Sequence, residues 1–519
     1  MQEEKPDYSK SLSQKIGLIL GPVLFFVTLL FFDFDPENPN VTRMAAIAIL
    51  MAVWWITDAI PLYATALLPL ILYPLLGILK GKLIAPIYIN STIFLFIGGF
   101  MIALTMEKWR LHRRIALFII RFIGGGPARI TLGFMIAAAF LSMWISNTAT
   151  AIMMVPIGLA IVLQMEEKFD KKETHNFTVG LMLGIAYACS MGGVATLVGT
   201  PPNLSFARIF EITFPDAPLI TFGDWFVMAL PISVIMLVII WLIITKLFFR
   251  VPAHIKVDPA IVEGEYRSLG KMSYEEKVVL TVFSLTALLW VFRKKLVIGL
   301  FSIPGWSQLI PYPDLIDDGT VALFMALILF LIPTRSKNAR SASIMGVGVI
   351  MRLPWNIVLL FGGGFALAKG FQVTGLSTLI GNEFAGLAGT SPLIMVVLVC
   401  SGLTFLTELT SNTATTEMIL PILASVGFAM HTNPLILMIP ATLSASCAFM
   451  MPVATPPNAI VFGSGRVRIA EMARAGLVIN IIGIVIITLY FYTIGAGLMG
   501  IDTSVFPEWA NHLGGGGQL

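Results

Sequence analysis

Long apolar runs separated by short polar breaks recur from Lys15 almost to the end of this chain. A helix needs roughly 17–25 apolar residues to cross a bilayer. On that measure the pattern predicts eleven crossings, at 15–32, 43–60, 61–79, 92–106, 178–212, 224–248, 276–293, 316–333, 354–369, 434–464 and 474–497. The fifth and tenth are each broken by Thr-Pro-Pro-Asn, at Thr200–Asn203 and Thr455–Asn458. Segments 128–165 and 391–429 read differently, as apolar arm, polar tip, apolar arm. Arms of about 16–18 residues are marginal for a crossing. Each segment is therefore either a pair of crossings with a polar loop outside, or a re-entrant hairpin with its tip at mid-depth. The tips carry no charge and no Gly-Pro turn, so the hairpin fits better.

Both tips read Ser-Asn-Thr-Ala-Thr, at Ser146–Thr150 and Ser411–Thr415. At an offset of 265, residues 146–157 and 411–422 agree at eight of twelve positions, including Met153/Met418 and Pro156/Pro421. Phe96-x-Gly98-Gly99-Phe100 and Phe361-x-Gly363-Gly364-Phe365 share that offset, and a Thr-Pro-Pro-Asn follows each tip. Three paired landmarks in one order indicate a duplicated chain. One span followed by two five-span repeats turns the second repeat upside down, because five is odd. The expected fold is an all-α polytopic membrane protein. Its eleven transmembrane helices form two five-span inverted repeats, each with a re-entrant helical hairpin and a broken helix.

Composition agrees with a bilayer as solvent. Hydrophobic residues are 57% of the chain and charged residues 12%, about half the charged share of a soluble domain. A formal charge of +4 and no long basic run give no reason to expect nucleic acid. With the N-terminus cytoplasmic and the hairpins not crossing, most of the 33 basic residues fall inside. They include Lys5, Lys108, Arg110, Arg113, Arg114, Lys168, Lys171, Lys172, Arg335, Arg466 and Arg468, as the positive-inside rule expects. The C-terminus is then external, and Arg293, Lys294 and Lys295 are exceptions. No cleavable signal peptide is evident, since Lys15 to Phe32 reads as a full first span. Residues 514–519, Gly-Gly-Gly-Gly-Gln-Leu, read as an appended tail.

Paired breaks in membrane sequence are the best sequence pointer to a transporter binding site. Chain reversal at mid-membrane frees backbone groups that hydrocarbon cannot satisfy, so it survives only inside protein or against a wet cavity. Ser, Asn and Thr before a helical arm are natural N-caps, and Pro-Pro after Thr200 and Thr455 suits a first helical turn. Four half-helix N-termini would then face a common space. Their partial positive ends make an anion site without Lys or Arg. Freed carbonyls with Ser and Asn oxygens suit a hard cation such as sodium, and the lack of sulfur or imidazole argues against a transition metal.

Other features read as structural. Gly98-Gly99 and Gly362-Gly363-Gly364 suit close helix packing. Lys108, Arg110, Arg113, Arg114 and Arg121 against Leu111, Ile115, Phe118 and Phe122 make an amphipathic interfacial connector. Asp58, Glu107, Glu408 and Glu417 lie in or near apolar sequence and are either functional or hydrogen-bonded for structure. Cys189, Cys400 and Cys447 read as buried thiols. His112, His175, His254, His431 and His512 sit at loops or interfaces and suggest neither a relay nor a zinc site. An intramembrane hydrolase would need a nucleophile with a base, or a carboxylate pair. The tips offer no nearby His or Lys, so no enzyme is expected. A passive channel has no need of two inverted, closed tips.

The paired Ser-Asn-Thr and Thr-Pro-Pro motifs, with Trp55-Ile56-Thr57-Asp58-Ala59-Ile60-Pro61, resemble the divalent anion/sodium symporter (DASS) family of di- and tricarboxylate transporters. The likeness spans residues 15–497; the family typically has Glu where this chain has Asp58. The resemblance implies a homodimer in the cell membrane whose protomers move by an elevator mechanism. A scaffold (15–106 and 276–369) would support a mobile transport unit (128–248 and 391–497) through connectors at 107–127 and 370–390. It implies that Asn147, Thr148, Asn412 and Thr413 hold two carboxylates, helped by Thr200, Pro201, Thr455 and Pro456. One sodium site would use Ser142, Ser146, Asn147 and Gly199; the other Thr407, Ser411, Asn412 and Ala454. The expected activity is sodium-coupled symport of C4-dicarboxylates such as succinate, malate and fumarate. Sodium-independent exchange, or sodium-coupled transport of citrate or another divalent anion, are the alternatives.

Overall fold

The computed structural model describes residues 10–252, 259–298, 301–337, 341–384, 386 and 390–511. Lys5, His254, His512 and the tail at 514–519 lie outside the described residues. The chain is almost entirely helical. Among the described residues, eight helices are long and apolar enough to cross a bilayer by length and composition. Segment 61–79 is not one helix but two short ones, Leu62–Thr65 and Leu68–Leu75. Pro61, Pro69 and Pro74 lack amide donors and interrupt it. A small antiparallel pair, Leu296–Ile298 with Phe301–Ile303, is an element the apolar pattern does not predict.

Both hairpins form. The arms of the first are Pro127–Ser142 and Asn147–Glu166; those of the second are Pro392–Leu406 and Asn412–Ala429. Each descending arm starts on Pro, where a missing amide costs nothing. Each returning arm is capped by its Ser: Ser146 Oγ accepts from Ala149 N at 3.2 Å and Ser411 Oγ from Ala414 N at 3.5 Å. Both broken helices form too. Lys171–Val194 stops and restarts as Pro201–Thr213, and Leu435–Ser444 restarts as Pro456–Gly463.

The glycine-rich helices Ser91–Lys108 and Trp355–Thr374 pack closely on their neighbours. A Cβ on Gly98 would stand 2.6 Å from Ala322 Cβ, one on Gly362 2.0 Å from the Tyr88 ring and one on Gly363 2.5 Å from Ala66 Cβ. One apolar core joins the first hairpin, both broken helices and residues 276–365. A second joins Phe25–Tyr88 to Leu360–Leu376 and reaches Ala414 and Met418 of the second hairpin.

The connector helix, Leu111–Ile123, buries Leu111, Ala116, Leu117 and Ile120, and three of its arginines pair with carboxylates. Arg113 pairs with Glu265 at 2.8 Å, Arg121 with Glu263 at 2.5 Å and Arg114 with Glu276 at 2.8 Å. The hydrogen bonds that Arg114 donates to the Glu276 carboxylate raise the Arg114 pKa further. Arg293, an exception to the charge rule, is buried and pairs with buried Asp318 at 2.5 Å. A neutralised, enclosed arginine adds little to the charge seen at a membrane surface.

Candidate functional site

Each hairpin tip is braced by a hydroxyl-to-amide contact, and the second also by Thr410 Oγ1 and Thr415 Oγ1 at 2.7 Å. Ser142 Oγ donates to Asn147 Oδ1 at 2.5 Å, and Thr407 Oγ1 to Asn412 Oδ1 at 2.5 Å. Each tip also lies against the break of its own repeat. Thr196 Oγ1 donates to the Met143 carbonyl at 2.5 Å, and Thr407 Oγ1 lies 3.0 Å from the Ala445 carbonyl. The fit is tight: a Cβ on Gly193 would stand 2.8 Å from Asn147 Oδ1, and one on Gly199 2.5 Å from the Gly193 carbonyl.

The repeats then cross over. Pro201–Thr213 packs on Asn412–Ala429, and Pro456–Gly463 packs on Asn147–Glu166. Tip one, break one, tip two and break two are thus linked in a closed ring of contacts, whose members include the helices that start at Asn147, Pro201, Asn412 and Pro456. Thr200, Thr413 and Thr455 are buried, whereas Asn147, Thr148, Pro201 and Asn412 are half-buried and Pro456 is exposed. Of the two Thr before Pro-Pro, only Thr455 caps with its side chain, accepting from Asn458 N at 3.4 Å.

Ser142, Thr407, Gly199 and Ala454 are buried, and Ser146 and Ser411 are half-buried at the caps. The donor set is neutral oxygen: hydroxyls, amide Oδ1 and carbonyls of an unwound backbone. That chemistry fits a sodium ion. Among the described residues no group of His, Cys, Asp and Glu could hold a metal.

Four residues that shape this site were not assigned to it from sequence. Asn203 Nδ2 donates to the Gly193, Val194 and Thr196 carbonyls at 3.2, 3.1 and 2.7 Å. Its counterpart Asn458 donates to the Ala448 and Met451 carbonyls, both at 3.0 Å. Both are fully buried, and both leave Oδ1 without a partner. The last letter of the repeated tetrad was the available signal. Glu408 accepts from the amides of Phe449, Met450 and Met451 at 2.7, 2.9 and 3.0 Å, and from Asn480 Nδ2 at 2.7 Å. Glu417 is fully buried; Ser205 Oγ donates to its Oε1 at 2.5 Å, and its Oε2 has no partner. Asp58 instead ends a helix at φ 49°, and Glu107 pairs with Arg352.

The elements of the ring are paired by the repeat, but its packing on the glycine-rich helices is one-sided. Pro201–Thr213 and Asn412–Ala429 both pack on Trp355–Thr374. Repeat symmetry pairs these with Pro456–Gly463, Asn147–Glu166 and Ser91–Lys108. Among the described residues, that swapped set has no packing of this extent.

A doubled, inverted site of neutral helix ends and backbone breaks, within an all-helical polytopic chain, defines a multi-pass membrane transporter. The chain belongs to the family described as the sodium:sulfate symporter transmembrane region, which it matches over residues 16–501. It is 42% identical over 508 residues to the Staphylococcus saprophyticus protein named sodium-dependent dicarboxylate transporter SdcS, covering 96% of this chain and 95% of that one. The Staphylococcus aureus MRSA252 protein of the same name is 42% identical over 497 residues, covering 95% and 93%. Two solved structures share the fold at 13% identity. Neisseria gonorrhoeae MtrF has a TM-score of 0.55, covering 91% of this chain and 98% of its own. Alcanivorax borkumensis YdaH has a TM-score of 0.53, covering 79% and 86%.

Proposed function

We propose that this protein imports C4-dicarboxylates such as succinate together with sodium ions. The observation that carries the reading is the closed ring of packed hairpins and broken helices, with its tips braced by Ser142–Asn147 and Thr407–Asn412. Each N-terminus presents roughly half a positive charge to an anion. Two opposed tips offer one such end to each carboxylate of a dianion, through Asn147, Thr148 and Thr200 on one side and Asn412, Thr413 and Thr455 on the other, with Pro201 and Pro456 shaping the walls. The names borne by relatives at 42% identity support dicarboxylate as the anion and sodium as its companion.

Sodium would sit beside each tip, on Ser142, Ser146, Asn147 and Gly199 and on Thr407, Ser411, Asn412 and Ala454. Bringing cations with the dianion offsets its desolvation and holds the tips in the binding geometry. In this reading eleven spans leave the N-terminus cytoplasmic and the C-terminus external, and the protomer works as a homodimer. On that topology the half of the ring packed on Trp355–Thr374 faces outward, the arrangement expected of an inward-open state. An elevator step would exchange that docking for its repeat-related partner on Ser91–Lys108.

Uptake of labelled succinate into proteoliposomes tests the reading. Uptake should require an inward sodium gradient and no internal dicarboxylate. Uptake indifferent to sodium but dependent on internal dicarboxylate would make the protein an exchanger, and stronger competition by citrate or sulfate would change the substrate. Asn147→Ala and Asn412→Ala should each abolish uptake while the protein elutes as wild type.

A further inference from the structure

Beyond the ring, a second polar feature spans the junction between the two units. Pro201–Thr213 and Trp355–Thr374 lie side by side. Ser205 and Gly364 form one layer of that junction, with the Glu417 carboxyl wedged between them: a Cβ on Gly364 would stand 1.3 Å from Glu417 Oε2. One layer further along both helices come Arg208 and Lys369, about 5 and 8 Å on at 1.5 Å per residue. There the helices part around a cavity of about 500 Å³ lined by Arg208, Glu211, Lys369, Ile87 and Leu219. That volume is in the roughly 300–1,000 Å³ range of small-molecule pockets.

The charge in this cavity is unbalanced. Arg208 Nη1 pairs with Glu211 at 2.7 Å, but its Nε is buried and has no partner. Lys369 Nζ donates to the neutral amide oxygen of Gln372 at 2.7 Å. Two cations face one carboxylate. A guanidinium fork and an ammonium on opposite walls match the two ends of a short dianion. The cavity lies about 12 Å along its helix from Thr200, eight residues at 1.5 Å each, and the Glu417–Gly364 layer closes the way between.

We propose that Arg208 and Lys369 form a capture site for the dicarboxylate at the outer mouth of the closed passage. This rests on the transport reading above and adds a residence site before the transport site. A cationic pocket raises the local concentration of an anion and its encounter rate. Arg208 belongs to the unit that binds substrate and Lys369 to the one that does not, so separating them releases the anion toward the ring.

Sodium-driven succinate uptake in the wild type comes first; its failure would sink the transport reading. Given that uptake, Arg208→Gln and Lys369→Gln should each raise the succinate KM about threefold to tenfold, with Vmax changed less than about twofold. The increase should shrink as choline chloride is added at constant sodium, because salt screens steering. Arg208→Lys and Lys369→Arg should stay near wild type. Glu211→Gln should lower KM, a change of sign that a structural role does not produce. The proposal is overturned if KM is unchanged, if Vmax falls instead, if Glu211→Gln raises KM, or if the effects vanish in phosphatidylcholine vesicles and require anionic lipid. That last result would assign the pair to a lipid headgroup.

Discussion

The two hairpin tips are alike where they face the ring and unlike where they are held. Hydroxyl and amide meet at the same distance, 2.5 Å, in both. Behind them, the Thr196 hydroxyl ties the first break to its own tip through the Met143 carbonyl, while Asn203, Trp225 and Ser233 hold carbonyls at and before that break. At the position matching Met143 the second repeat has Glu408, whose carboxylate gathers three consecutive amides and Asn480. The position of Glu417 is matched in the first repeat by Ile152, which is exposed rather than buried. A duplicated chain has kept the hydroxyl–amide brace at both tips and given up its symmetry at the supports. The supports therefore carry what differs between the halves: how firmly each is held, and which of them packs on Trp355–Thr374.

The strongest test of that difference is to remove the anchors. Glu408→Ala leaves three backbone amides and Asn480 without an acceptor, at roughly 1–3 kcal/mol for each buried group left unpaired. Thr196→Val removes one hydrogen bond, worth about 1 kcal/mol. Thermal unfolding in detergent should show the Glu408 variant several-fold more destabilised. Equal losses would mean that the carboxylate anchor adds nothing beyond its single-hydroxyl counterpart.

Docking offers a second, smaller contrast. Gly364 and Gly99 are related by the 265-residue offset, yet a Cβ on Gly364 meets Glu417 Oε2 at 1.3 Å, while one on Gly99 meets Trp290 at an ordinary 3.5 Å. Gly364→Ala should therefore disturb the packing of Asn412–Ala429 on Trp355–Thr374 and slow succinate uptake about tenfold, an energetic cost of about 1.4 kcal/mol. In this state Gly99→Ala is sterically neutral, so its melting temperature should stay within a degree or two of wild type while that of Gly364→Ala falls. If both variants melt alike, the one-sided contact is not what distinguishes the repeats.

Much of the architecture was written in the order of apolar and polar residues. The hairpins, the two breaks and the amphipathic connector follow from local runs, and the close packing at Gly98 and Gly362–Gly364 follows from residue size. The supports could not be read that way. Glu408 finds its amides 41 residues along the chain, and Ser205 and Glu417 are 212 apart, so nothing nearby marks either contact. The split of 61–79 did have local marks, in Pro69 and Pro74, that the apolar run outweighed. The one-sided packing on Trp355–Thr374 was hidden for another reason: the repeated motifs are nearly the same in both halves, and nothing in them says which half makes the contact.

The caps give the finest comparison. Ser146 and Ser411 do the same job, but the first accepts its amide at 3.2 Å and the second at 3.5 Å, the limit of a hydrogen bond. Replacing an N-cap Ser with Ala costs about 1 kcal/mol when the bond is well made. Measured without sodium, Ser146→Ala should lower thermal stability by about that amount and Ser411→Ala by less. Adding sodium changes what is read. A ligand that binds only the folded state stabilises it in proportion to RT ln(1 + [L]/Kd), so if both serines are ligands, each variant should lose part of the sodium-induced rise in melting temperature. A Ser411 variant that keeps the full rise would reduce that serine to a weak cap, and the two tips would differ at the ligand as well as behind it.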